Sequence, residues 1–238
     1  MRRVFDIINR ITDDLLDIAW PEVCMGCGKR FNGGGESLIC SDCLMNLSKV
    51  DYYEHDENFV TTEFFRHSVE LEYGCCFLQY KKGDYTQSLM HNIKYFQHPT
   101  LGITLGQMAA TEMQKHNRFM DAEYIVPIPM HPDKLKDRGF NQAERIARGF
   151  ADVYRIPLCE DALAKTVNSK TQAFMSPAER IENAKRLFAA HYNEDLDGKH
   201  ILIVDDVFTT GSTLIVCAQK LHEAMPKSKI SVFALAKA

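Results

Sequence analysis

The chain has 238 residues, 45% apolar and 25% charged, with a formal net charge of −4 and a pI near 6.1. This is an ordinary globular composition, long enough for one ample core with a small appendage, and its acidic balance excludes a general polyanion-binding surface while leaving room for a local basic groove. No apolar run approaches the roughly 20 residues that span a bilayer, and the opening stretch MRRVFDIINRITDDLLDIAW places Asp6, Asp13, Asp14 and Asp17 where a signal peptide would be apolar, so a cytoplasmic location is expected.

In chain order, Val4, Ile7, Ile8, Ile11, Leu15 and Ile18 recur at helical intervals and predict an amphipathic helix within 1–20, ended by Trp20-Pro21. Residues 21–50 then carry Cys24-x2-Cys27, twelve intervening residues, and Cys40-x2-Cys43. Disulfides are a poor account of such cysteines in a reducing compartment. Each CxxC turn presents two thiolates, and two turns make a tetrahedral Zn2+ site with no open position, structural rather than catalytic. So short a segment cannot bury enough surface to hold itself, so the metal would supply its folding free energy. Cys75, Cys76, Cys159 and Cys217 lack this spacing and are expected to be plain buried residues.

The remainder, 51–238, reads as a single larger domain. Polar SKVDYYEHDENF, 48–59, is expected to be a linker. A strand is predicted within 71–80, a turn at KKGD, and helices from Tyr85 to Phe96 and from about Leu101 to Lys115. AEYIVPIPM reads as a strand ending in prolines. FNQAERIARGFADVY reads as a helix capped around Asn141, with Ile146 and Phe150 on its apolar side. PLCEDALAKT is expected to hold a short strand, and SPAERIENAKRLF a helix with a Ser-Pro-x-Glu start. KISVFALAKA closes the chain as a strand. Such alternation implies an α/β fold, a mostly parallel sheet with helices on both faces.

The most informative block is ILIVDDVFTTGSTL, Ile201 to Leu214. Four aliphatic residues suit a parallel strand buried on both faces. They lead into Asp205 and Asp206 and then into small residues that open a helix. In open α/β sheets ligands sit at such strand tips, and a small-residue loop at a helix start offers N–H groups and hydroxyls to a phosphate. Adjacent acids at a buried strand end are costly without a partner, so a ligand with hydroxyls or a metal beside its phosphate accounts for them better than an ordinary capped helix does. The block resembles the phosphoribosyl diphosphate (PRPP) signature of type I phosphoribosyltransferases. That resemblance implies that Asp205 and Asp206 hold the ribose hydroxyls while Thr209, Thr210, Gly211, Ser212 and Thr213 wrap the 5′-phosphate.

Two further segments carry charge near predicted strand ends. In PIPMHPDKLKDRGFNQ, a polar loop with His131, Lys134, Lys136 and Arg138 follows a strand, and cationic groups at a second strand tip suit a diphosphate; a solvated basic loop is the plain alternative. In KTVNSKTQAFMSPAERIENAKRLF, Thr171 and Gln172 precede a helix with Arg180 and Asn183. The segment reads either as an ordinary capped helix or as a lid that excludes water from a reacting ribosyl carbon.

The four-cysteine module, HNIKY, PIPMH…RGFNQ, TQ…R…N…F and DDVFTTGST occur in the order found in ComF-type proteins, the competence-associated phosphoribosyltransferase homologues of bacteria (ComFC or GntX-like), which this chain resembles from roughly Leu15 onward. The resemblance implies a type I phosphoribosyltransferase fold with a zinc finger beside it. It also implies a diphosphate-side loop containing Arg138 and Gly139, near His131 and Lys94. The implied activity is transfer of phosphoribosyl from PRPP, with Mg2+, to a nucleobase-like acceptor. Two alternatives stay open: a non-catalytic competence adaptor that binds single-stranded DNA or a helicase, and a PRPP-responsive regulator.

Overall fold

The computed structural model describes residues 23–31, 37–95, 98–167 and 177–238. The helix expected within 1–20 and the lid residues Thr171 and Gln172 lie outside the described residues. Helix α1 (Ser41–Met45) closes the cysteine-rich segment, and a 3-10 turn (Tyr52–Glu54) leads to α2 (Phe59–Arg66). Strand β1 (Tyr73–Gln79) is followed by α3 (Tyr85–Tyr95) and α4 (Pro99–Lys115), then β2 (Tyr124–Pro127), α5 (Pro132–Arg138) and α6 (Gln142–Tyr154). After β3 (Leu163–Lys165), α7 (Pro177–Leu187) and β4 (Phe188–Ala190) come β5 (His200–Phe208), α8 (Ser212–Ala224) and β6 (Lys229–Lys237). No described helix is long and apolar enough to cross a membrane.

Four strands form an all-parallel sheet in the order β1-β6-β5-β2, and β3 and β4 form a separate antiparallel pair. Ile201, Leu202, Ile203 and Val204 are all fully buried because β5 is central and covered on both faces. Their alternation divides the core. Leu202 and Val204 face one cluster with Leu105, Ile146 and Phe150, whereas Ile201 and Ile203 face the other with Ile215, Leu221 and Phe64. On the first face α4 and α6 touch backbone to backbone, since a Cβ on Gly106 would lie 2.3 Å from the carbonyl oxygen of Ile146.

Four expectations need correction. The 48–59 linker is built into the sheet edge: Val50 N donates to Phe77 O, Gln79 N donates to Ser48 O, and Tyr53 is buried. Its tail also caps a helix absent from the sequence reading, α2, where Asn58 and Thr61 form a capping box and Val60 and Phe64 supply an i, i+4 apolar pair. The polar loop after β2 contains α5, which has no buried residue and hence no apolar period to reveal it. The helix expected through Phe188 stops at Leu187, where the chain turns extended to pair with β3. Cys75, Cys76 and Cys217 are buried as expected, but Cys159 is only half-buried, its thiol donating to Asp161 Oδ1 at 3.1 Å.

Candidate functional site

Strand β5 continues past its aliphatic run, so Asp205 and Asp206 lie on its extended end and Val207 and Phe208 still pair with β6. Asp205 Oδ1 accepts from the backbone N–H of Asp206 at 2.8 Å. Lys94, in the last turn of α3, places Nζ 3.1 Å from Asp206 Oδ2. Burial works against the Lys94 ammonium, but the carboxylates of Asp206 and Asp205 outweigh it and hold its pKa above the ordinary value. Burial, and then the charge of Asp206, push Asp205 up to about 8. In the unliganded chain Asp205 therefore tends to hold its proton, while Lys94 pairs with Asp206.

That shift has a stability consequence. A carboxyl whose folded pKa is raised stabilises the fold fully below its unfolded value and loses that contribution as pH rises through the folded one. Asp205→Asn should therefore be more stable than the parent chain at pH 8.5, with the gap closing towards pH 4. Urea melts across this range measure it, and parallel pH profiles for the two chains would count against a buried, proton-holding Asp205.

Beside the acids, a cavity of about 250 Å3 is lined by Asp205, Thr209 to Leu214, Lys165 and Arg180. The first three N–H groups of α8, from Ser212 to Leu214, have no partner within the helix and belong to cavity-lining residues. Thr210 and Ser212 hydroxyls lie 2.8 Å apart. Gly211 has φ +72°, and a Cβ there would sit 2.5 Å from Phe208 Cζ. Gly211→Ala should thus destabilise the chain by about 1–3 kcal/mol, from left-handed backbone strain and displacement of the Phe208 ring. An unchanged melting temperature would refute that account of the turn.

The RGFNQ segment joins two elements. Asn141 caps α6 by accepting from Ala143 N, while its Nδ2 donates to Ile128 O at 2.9 Å, so the β2 exit is fastened to the helix start. Gly139 is the left-handed cap of α5, with φ +85°. Arg138 Nη1 donates to Gln142 Oε1 at 2.8 Å, and Gln142 is buried. The Arg138 charge reaches Lys94, whose ammonium it disfavours. His131 Nδ1 accepts from Asp133 N at 3.2 Å, which commits that nitrogen to capping α5. Arg180 lies on the cavity wall, and Asn183 follows it on α7, half-buried and away from that wall. Sequence reasoning missed Lys165: one lysine ending a three-residue strand carries no motif, and only the β3–β4 pairing brings it to the cavity.

The four N-terminal cysteines form the second centre. Their sulfurs all lie within 4.8 Å of one another, and those of Cys27 and Cys40 are 3.9 Å apart. Thiolates about 2.3 Å from a tetrahedral Zn2+ would be spaced by about 3.8 Å, so the donor set fits that ion. Burial raises the Cys24 thiol, yet the backbone N–H groups of Cys40, Cys27 and Gly26 outweigh it and hold it at about 6. Asn92 Nδ2 donates to Met25 O at 2.5 Å, and Cys24, Ile39 and Cys43 share one core cluster with Leu89, Met90 and Ile93. The knuckle thus braces α3, the helix that carries Lys94 to Asp206. Between knuckle and helix opens a cleft of about 810 Å3 whose wall includes Met25, Tyr80, His91, His98 and Lys94, with no carboxylate among the described residues that line it.

Comparison with known proteins agrees with this geometry. Residues 135–238 match the phosphoribosyl transferase domain. The chain is 29% identical over 136 residues to DNA utilization protein YhgH of Escherichia coli (strain K12), covering 56% of this chain and 59% of that protein. It is 28% identical over 132 residues to competence protein F of Haemophilus influenzae, covering 55% and 57%. With competence protein ComFC of Bacillus subtilis identity is 31% over 111 residues, covering 47% and 43%. The chain therefore spans about half the length of the curated relatives it matches. A purine phosphoribosyltransferase from Pyrococcus horikoshii Ot3 is similar over 58% of this chain and 83% of that one, at 16% identity and a TM-score of 0.32, too low to carry the fold by itself.

Proposed function

We propose, from a phosphoribosyl transferase domain over 135–238 and homologues named for competence and DNA utilization, that this chain binds PRPP and acts in DNA uptake, transferring phosphoribosyl to a nucleobase-like acceptor. The observation that carries the reading is one strand tip where Asp205 and Asp206 meet Lys94 on one side and the Thr209–Thr213 cavity on the other. In this reading residues 21–50 are the zinc module and 51–238 the donor-binding domain.

Asp205 and Asp206 would accept from the ribose hydroxyls and fix the sugar ring. Thr209, Thr210, Gly211, Ser212 and Thr213 would hold the 5′-phosphate at the α8 start. Arg138, presented by Gly139 and braced by Gln142, would face the diphosphate together with Lys94, with His131 shaping the loop that carries them. Asp205 and Asp206, as adjacent hard oxygen donors, would hold Mg2+, which would supply neutralisation of charge on the leaving diphosphate. An acceptor nitrogen gives its lone pair to C1 of the ribose as the C1–O bond breaks, the diphosphate leaves with the electrons of that bond, and the proton of the acceptor N–H passes to the departing diphosphate or to water. Positioning carries this reaction without a covalent protein intermediate. Thr171, Gln172, Arg180 and Asn183 would close over the reacting carbon and exclude water. The cleft against the zinc knuckle also includes Lys94 in its wall, and in this reading an acceptor would approach from that side.

The relatives' names favour a second reading, in which PRPP binding persists without turnover and the chain is an adaptor for single-stranded DNA or a helicase. Calorimetric titration of PRPP with and without Mg2+, followed by diphosphate release across a panel of nucleobases, separates the two. Binding with release supports the transferase, binding without release the adaptor or a PRPP-responsive regulator, and no binding removes the proposal.

A further inference from the structure

We propose that Lys165 makes the cavity beneath the Thr209–Thr213 loop a pocket for a terminal phosphomonoester, selecting that dianion over the phosphodiester of a nucleic-acid backbone. The proposal rests on reading the cavity as a sugar-phosphate site. Lys165 ends β3, opposite Phe188 of β4, and enters the cavity wall across from the small-residue loop. Its Nζ lies 4.9 Å from the centroid of the Phe188 ring, and both side chains line the cavity.

Among the described residues Lys165 makes no ion pair. A half-buried ammonium in that position lacks the counter-charge that Lys94 finds on Asp206. Burial and the nearby Lys134 both work against its charged form, and Asp205 only partly offsets them. An arriving anion would relieve that cost. The cavity adds Arg180 on α7 and the N-terminus of α8, so positive potential converges from three elements.

Charge count then decides which phosphate gains most. A terminal phosphomonoester carries close to two charges above pH 7, whereas a backbone phosphodiester carries one. Attraction to fixed cations scales with ligand charge. Hydroxyls of Thr210 and Ser212 and the loop N–H groups would bind either species, so the difference between them falls on the cations. Lys165 is the cation held in place by a strand pair.

The test uses the full chain, with ribose 5-phosphate and its 5′-methyl ester as probes. Calorimetry on wild type should show the monoester bound about tenfold more tightly. Lys165→Met keeps the stem over Phe188 and removes the charge; it should weaken the monoester about tenfold and the methyl ester much less, erasing most of the preference. Lys165→Arg should restore it. Structural damage would weaken both probes alike, so equal loss, or an unchanged ratio in Lys165→Met, overturns the proposal. Wild type that binds neither probe would overturn the sugar-phosphate reading beneath it, and with it this one.

Discussion

Asparagine at both Asp205 and Asp206 should lower affinity for PRPP by about 10²- to 10⁴-fold in titrations with Mg2+. In a complex with Mg2+ the added positive charge would make both acids carboxylates, so ribose hydroxyls donating to them would form charge-assisted hydrogen bonds, each contributing about 1.5–3 kcal/mol, and two such losses give that range. An amide keeps one acceptor oxygen but turns an N–H2 group towards a hydroxyl that must donate. Electrostatics adds a second loss. Lys94 is held by Asp206 at 3.1 Å, so the double substitution leaves a partly buried ammonium beside Arg138 with no counter-charge. The two substitutions should differ in their effect on the unliganded chain: Asp205→Asn removes a carboxyl that burial already keeps protonated up to about 8, while Asp206→Asn breaks an ion pair. Equal PRPP affinity in the double variant and the parent would remove the acids from the donor site.

If the four cysteines hold zinc, Cys24→Ser should abolish tight binding of one metal ion per chain and unfold the knuckle. The segment buries few side chains of its own, chiefly Cys24, Ile39, Cys43 and Leu47, far short of what a module this small needs to fold alone. Metal binding supplies about 10–16 kcal/mol in comparable small sites, and with one thiolate lost most of it is forfeited. The damage should reach further, because Asn92 donates to Met25 O and Leu89, Met90 and Ile93 pack on the knuckle. Elemental analysis and amide exchange read both effects: zinc near zero, and faster exchange along 85–95. A metal-free variant with parental exchange in that helix would show the knuckle to be dispensable.

The candidate site on β5 was legible because its signal is local. Four buried aliphatics, two acids and a small-residue loop occupy fourteen consecutive positions, and a central strand covered on both faces permits no polar residue until its tip. The cysteine pairs were legible for the same reason. What stayed hidden depends on partners distant in sequence. Val50 and Tyr53 sit among charges and look like linker residues until β1 lies beside them. Helix α5 buries none of its residues and offers no period. Lys165 gains meaning only when Phe188, more than twenty positions later, pairs with it. Lys94 read as one lysine on a helix, and its ion pair with Asp206 spans more than a hundred residues.

The strand order β1-β6-β5-β2 also governs how this molecule can be born. Strand β6 lies between β1 and β5, so Tyr73 meets its neighbour Ser231, and Ile201 meets Ile230, only after those late partners have left the ribosome. Until then β1 and β5 expose unpaired edges, and the two acids hang on a strand with one flank open. Pairings between residues so far apart are slow to form and leave sticky intermediates. Until β6 is made the nascent chain therefore leaves two strand edges open to association, and the tip that carries the two acids gains its second flank only then.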